Sequence, residues 1–267
     1  MKVLIIGHKG SYGKWLYDLM STYMTNVEVS GIDSEATCKK AIFKDHLIGS
    51  DVVIISVPLY VYPHILSFVL KHINNSSLVV DIASSKKELV KLFKKAKCDY
   101  LMLHPMCAPP DTKSRIYPDK KVYAIDASLK EVKNREFYSE FKELIGGEIT
   151  GITLEKHDII EELNQTTIHM SLLNLLFAID ASGFTFEEAK EHSTPVALPL
   201  YESLERMMIH GNPYTTAKLV ELGINKNSKI VSAFMFYLKG NKKPFDKIYF
   251  DNLAKKIEEI RKKLFEL

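Results

Sequence analysis

Two stretches, DIASSKK and, about twenty residues further on, LHPMCAPP, carry the residue types best suited to chemistry. Each reads as the C-terminal end of a buried strand opening into a polar loop. In an open α/β sheet such ends line the ligand crevice, so the Ser84 hydroxyl, the Lys86 ammonium and the His104 imidazole are expected to converge on one cleft. If that cleft also holds a dinucleotide, an alcohol beside His104 can lose its proton while it loses a hydride. Plainer readings stand beside these. Ser84 lies between a strand and a helix, where N-capping alone would account for it. A lone histidine is commonly a surface or satisfied core residue, although Pro105 keeps the strand at His104 from simply continuing in a ladder.

The first strand ends in Gly7-His8-Lys9-Gly10-Ser11-Tyr12-Gly13, and a helix follows at once. Glycines there permit a tight turn, close approach of backbone to a pyrophosphate, and helix-on-sheet packing. The helix N-terminus offers N–H groups and partial positive charge to the phosphates. The spacing is GxxGxxG, with His8 where the usual fingerprint has its first glycine. Asp33, twenty residues beyond Gly13 at the end of the second strand, strengthens the pattern. A carboxylate there accepts hydrogen bonds from an adenosine ribose diol and repels a 2′-phosphate, which predicts NAD rather than NADP. The alternative is that Asp33 caps the next helix. Ser56 and Pro58, from SVP after the third strand, are expected beneath the nicotinamide-side ribose.

Farther along, Asp158, Glu162, Gln165 and His169 step by four and three, a polar stripe on one helix. Ile159, Leu163, Thr166, Met170, Leu173 and Phe177 form an apolar stripe beside it. His169, flanked by Ile168 and Met170, needs partners for its ring nitrogens, from a neighbouring helix or a ligand. Arg206, in YESLERMMIHGNPY, stands on the apolar side of a helix between Leu204 and Met207–Met208. Arginine in such company pairs with a carboxylate of the protein or of a ligand.

These residues need a scaffold. The runs KVLIIG, VEVSGID, DVVIISVP, SLVVDIAS, YLMLHP and KVYAID are nearly continuous in Val, Ile and Leu, as in strands buried on both faces of a parallel sheet. Amphipathic stretches alternate with them. This predicts an α/β, Rossmann-like, doubly wound parallel sheet over residues 1–152, then an all-helical substrate-binding and dimerisation domain over 153–267. Breaks are expected at Gly183, Pro195, Pro199, Gly211–Pro213 and Gly240–Pro244. From Thr166 to Ile179 almost every helix face is apolar, so more than one neighbour must bury it. In a terminal domain of only about 115 residues, part of that cover is expected from a second subunit, making a homodimer.

The net charge of +3 is small and not gathered into a block. Lysines in KKELVKLFKKAK and KKIEEIRKKL alternate with apolar residues, as on solvated helix faces, so no nucleic-acid partner is expected. Cys38, Cys98 and Cys107 show neither a CxxC pair nor zinc-ligand spacing. With no leader-like N-terminus, they fit a reducing cytoplasm. No apolar run is long enough to span a bilayer. A small-molecule substrate and no metal are expected.

The motifs, taken in order, resemble the prephenate dehydrogenase family. The matching pieces are the GxxGxxG turn, DVVIISVP, VVDIASSK, LHPM with a proline-rich loop, EKHD, His169 eleven residues after Asp158, then STP and ERMMIHGNPY. The resemblance covers nearly the whole chain. It implies a Rossmann domain followed by a helical dimerisation domain, NAD, and oxidative decarboxylation of prephenate to 4-hydroxyphenylpyruvate in tyrosine biosynthesis. The chorismate mutase domain in front of some members is not expected. By the resemblance, His104 takes the proton of the C4 hydroxyl as hydride leaves. Ser84 hydrogen-bonds the same centre, Arg206 holds the ring carboxylate, His169 lines the substrate pocket, and Lys86 matches a family lysine. Because that carboxylate departs as CO₂, binding it too tightly would raise the barrier, so Arg206 positions rather than drives the chemistry.

Three departures stand out: His8 in the glycine turn, Cys107-Ala108 in the substrate loop, and Leu198 where some relatives carry a second arginine. They admit related substrates, arogenate or 4-amino-4-deoxyprephenate. A β-hydroxyacid dehydrogenase would need a lysine inside an apolar helical stretch, which is missing. A non-catalytic NAD-binding protein is the remaining alternative.

Overall fold

A computed structural model of the chain describes residues 1–34, 39–110, 114–225 and 247–265. Cys38 and the break at Gly240–Pro244 fall outside them. Two compact units divide the chain, Met1–Asp158 and Ile159–Leu267.

The first unit carries a seven-stranded sheet ordered β2-β1-β3-β4-β5-β6-β7. The strands are β1 (Lys2–Ile6), β2 (Glu28–Ile32), β3 (Val52–Ile55), β4 (Leu78–Asp81), β5 (Asp99–Pro105), β6 (Ile116–Ser128) and β7 (Gly146–Gly151). Helices α1 (Ser11–Tyr23), α2 (Lys40–Ile48), α3 (Tyr62–His72), α4 (Lys87–Phe93) and α5 (Val132–Ile145) lie between them. The apolar runs dictate two cores. Val3, Ile5, Val52 and Ile54 pack with Trp15, Leu16 and Leu19 of α1 and Phe137 and Phe141 of α5. Leu4, Ile6, Val53 and Ile55 face Phe43, Tyr62, Leu66, Val69, Leu89 and Phe93 of α2, α3 and α4. Successive side chains alternate between faces, so a strand apolar at every position requires helices on both sides.

Three strands depart from the sequence reading. KVYAID lies in β6, which pairs antiparallel with β5, so the sheet is mostly rather than wholly parallel. GGEITG, which is not among the six apolar runs, forms β7, parallel to β6. Its two opening glycines, at φ +70 and +78, gave no strand signature. β2 is an edge strand with alternating exposure rather than a strand buried on both faces.

The second unit is helical. The unit division falls inside α6 (Leu154–Glu161), not ahead of it. A π-helical turn, Glu162–Thr167, leads into α7 (Ile168–Ser182), then α8 (Phe186–Glu191), α9 (Leu198–His210), α10 (Pro213–Asn225) and α11 (Lys247–Phe265). Gly183 ends α7 in the left-handed conformation at φ +79. Pro199 opens α9 in its first turn. Met170, Leu172, Leu173, Leu176 and Ile179 of α7 pack on Phe186, Leu204, Met208, Ala217, Val220, Ala254, Ile257 and Ile260. Four helices of the same unit therefore bury α7. The expected apolar stripe is broken: Ile159 and Leu163 are 45% and 48% exposed, whereas Thr166, Met170 and Leu173 are buried. The π turn supplies the reason. Its backbone closes i to i+5, and so rotates the upstream face away from the downstream one, while Thr167 Oγ1 also donates to the Glu162 carbonyl at 2.6 Å.

Candidate active site

β1, β3, β4 and β5 are parallel, with Ile6 beside Ile55, Ile55 beside Asp81 and Asp81 beside Met102. Gly7, Ser56, Ser84 and His104 therefore all belong to one edge of the sheet. The order reverses between β1 and β3, and the crevice at that switch point lies between Gly7 and Ser56.

At Gly7, φ is +87, and an added Cβ would lie 2.1 Å from the Ser56 carbonyl oxygen. A Cβ on Gly13 would lie 2.1 Å from the Gly7 oxygen, whereas one on Gly10 meets only that oxygen, at 3.4 Å. The turn is thus a cradle that side chains at Gly7 or Gly13 would fill. It opens onto the N-terminus of α1, which has no side-chain cap and no acidic residue in its first turn. Such an end is built for an anion. Ser11 is exposed there.

His8 does not block the cradle. Its ring lies over β2 at Gly31, where a Cβ would meet Cγ of His8 at 2.3 Å, and its centroid is 6.0 Å from Tyr17. One missing side chain accommodates the other. Asp33 accepts from the backbone N–H of Lys9 at 3.1 Å and of Ser34 at 2.8 Å, tying the end of β2 to the glycine turn. Pro58 is exposed and Ser56 partly buried. Tyr12 departs from a simple cofactor contact. Its hydroxyl donates to the Cys107 carbonyl, and Trp15 Nε1 donates to the Ser114 carbonyl at 2.7 Å, so α1 holds the loop that follows His104. Burial, and then Cys107, push the Tyr12 phenol upward in pKa.

Around His104 the interior is unusually polar. His104 is 3% exposed, and its Nδ1 lies 2.8 Å from Nε2 of His157, which is 0% exposed. Nδ1 of His157 is 3.7 Å from Oδ1 of Asp158. On the β4 side, Lys86 Nζ donates to Asp81 Oδ2 and to the Leu103 carbonyl, both at 2.6 Å. Asp81 also accepts from the Ala83 N–H at 2.9 Å. Lys86 is wholly enclosed, so its ammonium is spent on Asp81 and Leu103 rather than offered to a ligand. Burial pulls the Lys86 ammonium down in pKa while Asp81 opposes that pull. Burial, then Lys86, then His157, hold His104 well below the ordinary imidazole range. It is therefore neutral at neutral pH, the state a proton acceptor requires.

Ser84 is three residues past Asp81, but α4 begins only at Lys87, with Lys86 at the capping position and no side-chain cap bond. Capping thus does not account for Ser84, whose hydroxyl has no partner among the described residues. Asp81 and His157 were not singled out from the sequence. A carboxylate closing the apolar run LVVD was the signal for one, and the EKHD element for the other.

In the second unit, His169 and Arg206 line one cleft of about 380 Å³ with Leu172, Ser203, Met207, Asn212 and Thr215. His169 Nδ1 is 2.6 Å from the Gln165 carbonyl, which fixes its proton there. Burial lowers its pKa, and that carbonyl opposes the shift. Arg206 does not stand on the buried side of α9: Leu204 and Met208 are 0% and 2% exposed, and Arg206 is exposed. Its guanidinium has no ion-pair partner among the described residues. Among those residues, too, no helix is long and apolar enough to cross a membrane.

Residues 22–149 match the model of the prephenate dehydrogenase nucleotide-binding domain. The glycine turn precedes that span and rests on its own geometry. A Methanocaldococcus jannaschii protein described as a probable arogenate/prephenate dehydrogenase is 26% identical over 234 residues. The alignment covers 82% of this chain and 51% of that protein, so the chain spans about half the length of this relative. The A. aeolicus prephenate dehydrogenase, solved with hydroxyphenyl propionate and NAD⁺, superposes with a TM-score of 0.64 at 18% identity, covering 100% of this chain and 98% of that one. Synechocystis arogenate dehydrogenase gives 0.53 at 13% identity, covering 98% and 99%. At these identities the two structures speak for the fold. The matched domain, the curated relative and the shared fold together make this chain similar to the prephenate dehydrogenase family.

Proposed function

We propose that this chain is an NAD-dependent dehydrogenase that converts prephenate to 4-hydroxyphenylpyruvate with loss of CO₂, a step of tyrosine biosynthesis. The observation that carries the reading is a neutral, buried His104 on the same sheet edge as the glycine cradle. The cradle at Gly7 and Gly13 and the uncapped first turn of α1 (Gly10, Ser11, Tyr12) fit a pyrophosphate, with Asp33 toward the adenosine ribose and Ser56 and Pro58 toward the nicotinamide side. NAD⁺ bound there supplies the hydride acceptor.

His104 takes the proton of the C4 hydroxyl as the C4–H bond gives up its hydride. The bond from ring to carboxylate then breaks, its electron pair aromatises the ring, and CO₂ departs. The resulting phenolate takes the proton back from His104, so each turnover leaves the imidazole as it began. Base assistance of this kind contributes ~10²–10⁴-fold. Ser84 supplies a hydroxyl to the same oxygen. Arg206, exposed and without a carboxylate partner among the described residues, holds a substrate carboxylate, with His169 beside it. Lys86 acts through His104 rather than on substrate.

Arogenate is the second reading, favoured by the double description of the M. jannaschii relative and by Leu198 where some relatives carry an arginine. A homodimer through the helical half is part of the proposal, supported by the exposure of Ile159, Leu163 and Ile168; light scattering of the purified chain decides it. The reaction itself is tested by mixing the protein with NAD⁺ and, in parallel, prephenate, arogenate and 4-amino-4-deoxyprephenate while following NADH absorbance. Prephenate is expected to turn over fastest, and His104→Asn to abolish turnover while NAD⁺ still binds. Full activity in His104→Asn would refute the assignment, and NAD⁺ binding without turnover of any cyclohexadienyl substrate would refute the enzyme.

A further inference from the structure

We infer that His157 is a positioning residue that fixes His104 as its Nδ1–H tautomer and so turns the Nε2 lone pair toward the substrate hydroxyl. Two imidazole nitrogens 2.8 Å apart can share only one proton between them, so either His104 donates to His157 or the reverse. The group behind His157 decides. Its Nδ1 lies 3.7 Å from Oδ1 of Asp158, and neither atom has a hydrogen-bond partner among the described residues. A proton on that Nδ1 faces a carboxylate. A lone pair there would face the lone pairs of an anion instead. His157 therefore keeps its proton on Nδ1, its Nε2 accepts, and His104 must donate from its own Nδ1. Second-tier partners set the tautomer of metal-bound histidines by the same logic.

The charged groups around His104 include Asp81 at the end of β4, Lys86 before α4, and His157 and Asp158 on α6. Lys86 opposes a charge on His104. The bond between Nδ1 of His104 and Nε2 of His157 orients the ring, while burial, Lys86 and His157 all hold its charged form down. His157 thus fixes the direction of the base without touching substrate.

This inference rests on His104 being the base, and the two fail separately. In ¹⁵N–¹H correlation spectra of the unaltered protein at neutral pH, His104 should show a protonated Nδ1 and an unprotonated Nε2. A protonated Nε2 on His104 overturns the inference, whatever the enzyme's substrate. His157→Met removes the acceptor, and is expected to lower kcat about 10–100-fold with KM for NAD⁺ and substrate little changed, the His104 signals averaging between tautomers. His157→Gln restores an acceptor oxygen near the position of Nε2 and should recover most of kcat and a single tautomer. Unchanged kcat and unchanged tautomer in His157→Met would overturn the inference while leaving His104 as base. Turnover by His104→Asn would instead remove the reading beneath it.

Discussion

Replacing Lys86 with methionine strikes the most enclosed charge in the sheet unit. The stem keeps its apolar volume, but the ammonium that lies 2.6 Å from both Asp81 Oδ2 and the Leu103 carbonyl is gone. Both side chains of the ion pair are 0% exposed, so water cannot replace the missing partner. Asp81 keeps the Ala83 N–H as a donor but loses its countercharge. Breaking a buried pair from one side costs about 3–5 kcal/mol, against a total of about 5–15 kcal/mol for a typical domain. Removing both charges in Lys86→Met/Asp81→Asn leaves no orphaned ion, and the introduced amide oxygen can still accept from the Ala83 N–H. The double variant should therefore be more stable than the sum of the singles by about 2 kcal/mol or more. A catalytic signature accompanies the structural one. Lys86 is the second cause, after burial, that keeps the pKa of His104 low. Without it, and with Asp81 left as an anion, His104 moves part of the way back toward the ordinary imidazole range. Protonation then silences the base at a higher pH, so the acid limb of kcat shifts upward, and the imidazole titration seen by NMR shifts with it. Urea unfolding of the four proteins of the cycle, together with that titration, checks both halves. Singles within about 0.5 kcal/mol of the parent, additive in the cycle, with His104 titrating no higher than before, would refute the account.

Three other outcomes follow from the geometry. Because the folded pKa of His104 is depressed, the unfolded chain takes up a proton that the folded one declines; stability should fall as pH drops below about 6.5, by at most about 1.4 kcal/mol per pH unit for this group, and denaturation of His104→Asn between pH 5 and 7 should show a shallower slope. Gly13→Ala, whose Cβ would sit 2.1 Å from the Gly7 oxygen, should lose NAD⁺ binding by calorimetry, whereas Gly10→Ala, at 3.4 Å and an ordinary φ of −72, should retain most of it. Gly31→Ala should destabilise by about 1–3 kcal/mol through its clash with His8, and His8→Gly in the same chain should recover the loss; additive thermal shifts would show that the two sites do not meet.

What could be read from the sequence follows from how locally each feature is determined. The parallel strands β1, β3 and β4 announce themselves because burial on both faces demands Val, Ile and Leu at every position. The glycine turn is equally local, since its constraint is a clash between residues at most a few dozen positions apart. β7 escaped because Gly146 and Gly147 serve a backbone shape rather than a packing face. The stripe from Ile159 to Phe177 failed at one point, the π turn, which no 3.6-residue period can anticipate. The sequence neighbours of Arg206 point to the buried side of α9, yet it follows Leu204 by two residues and so lies across the helix from it. Ser84 and His104 were legible as strand-end residues, but the groups that govern them were not. Asp81, Lys86, His157 and Asp158 act through contacts set only when β4, β5 and α6 come together.

Those contacts orient one imidazole and keep it weakly basic, and the proposed chemistry explains why that combination serves. A base must be neutral before the reaction, which burial and Lys86 ensure, at the expense of proton affinity. An ordinary alcohol dehydrogenation would suffer from that loss, because its base has to retain the proton and pass it to solvent after the ketone forms. Prephenate oxidation differs. Decarboxylation regenerates an oxyanion at the same carbon, and the proton goes back to the oxygen it left. A weak base that holds the proton briefly, oriented by His157 and discouraged from keeping it by burial, Lys86 and His157, suits a proton borrowed and returned within one turnover. Enclosure follows from the same requirement, since a proton exchanged with water midway would gain nothing. On this reasoning the 3% exposure of His104 is part of the mechanism, and a substrate whose oxidation stopped at the ketone would be handled poorly at this site.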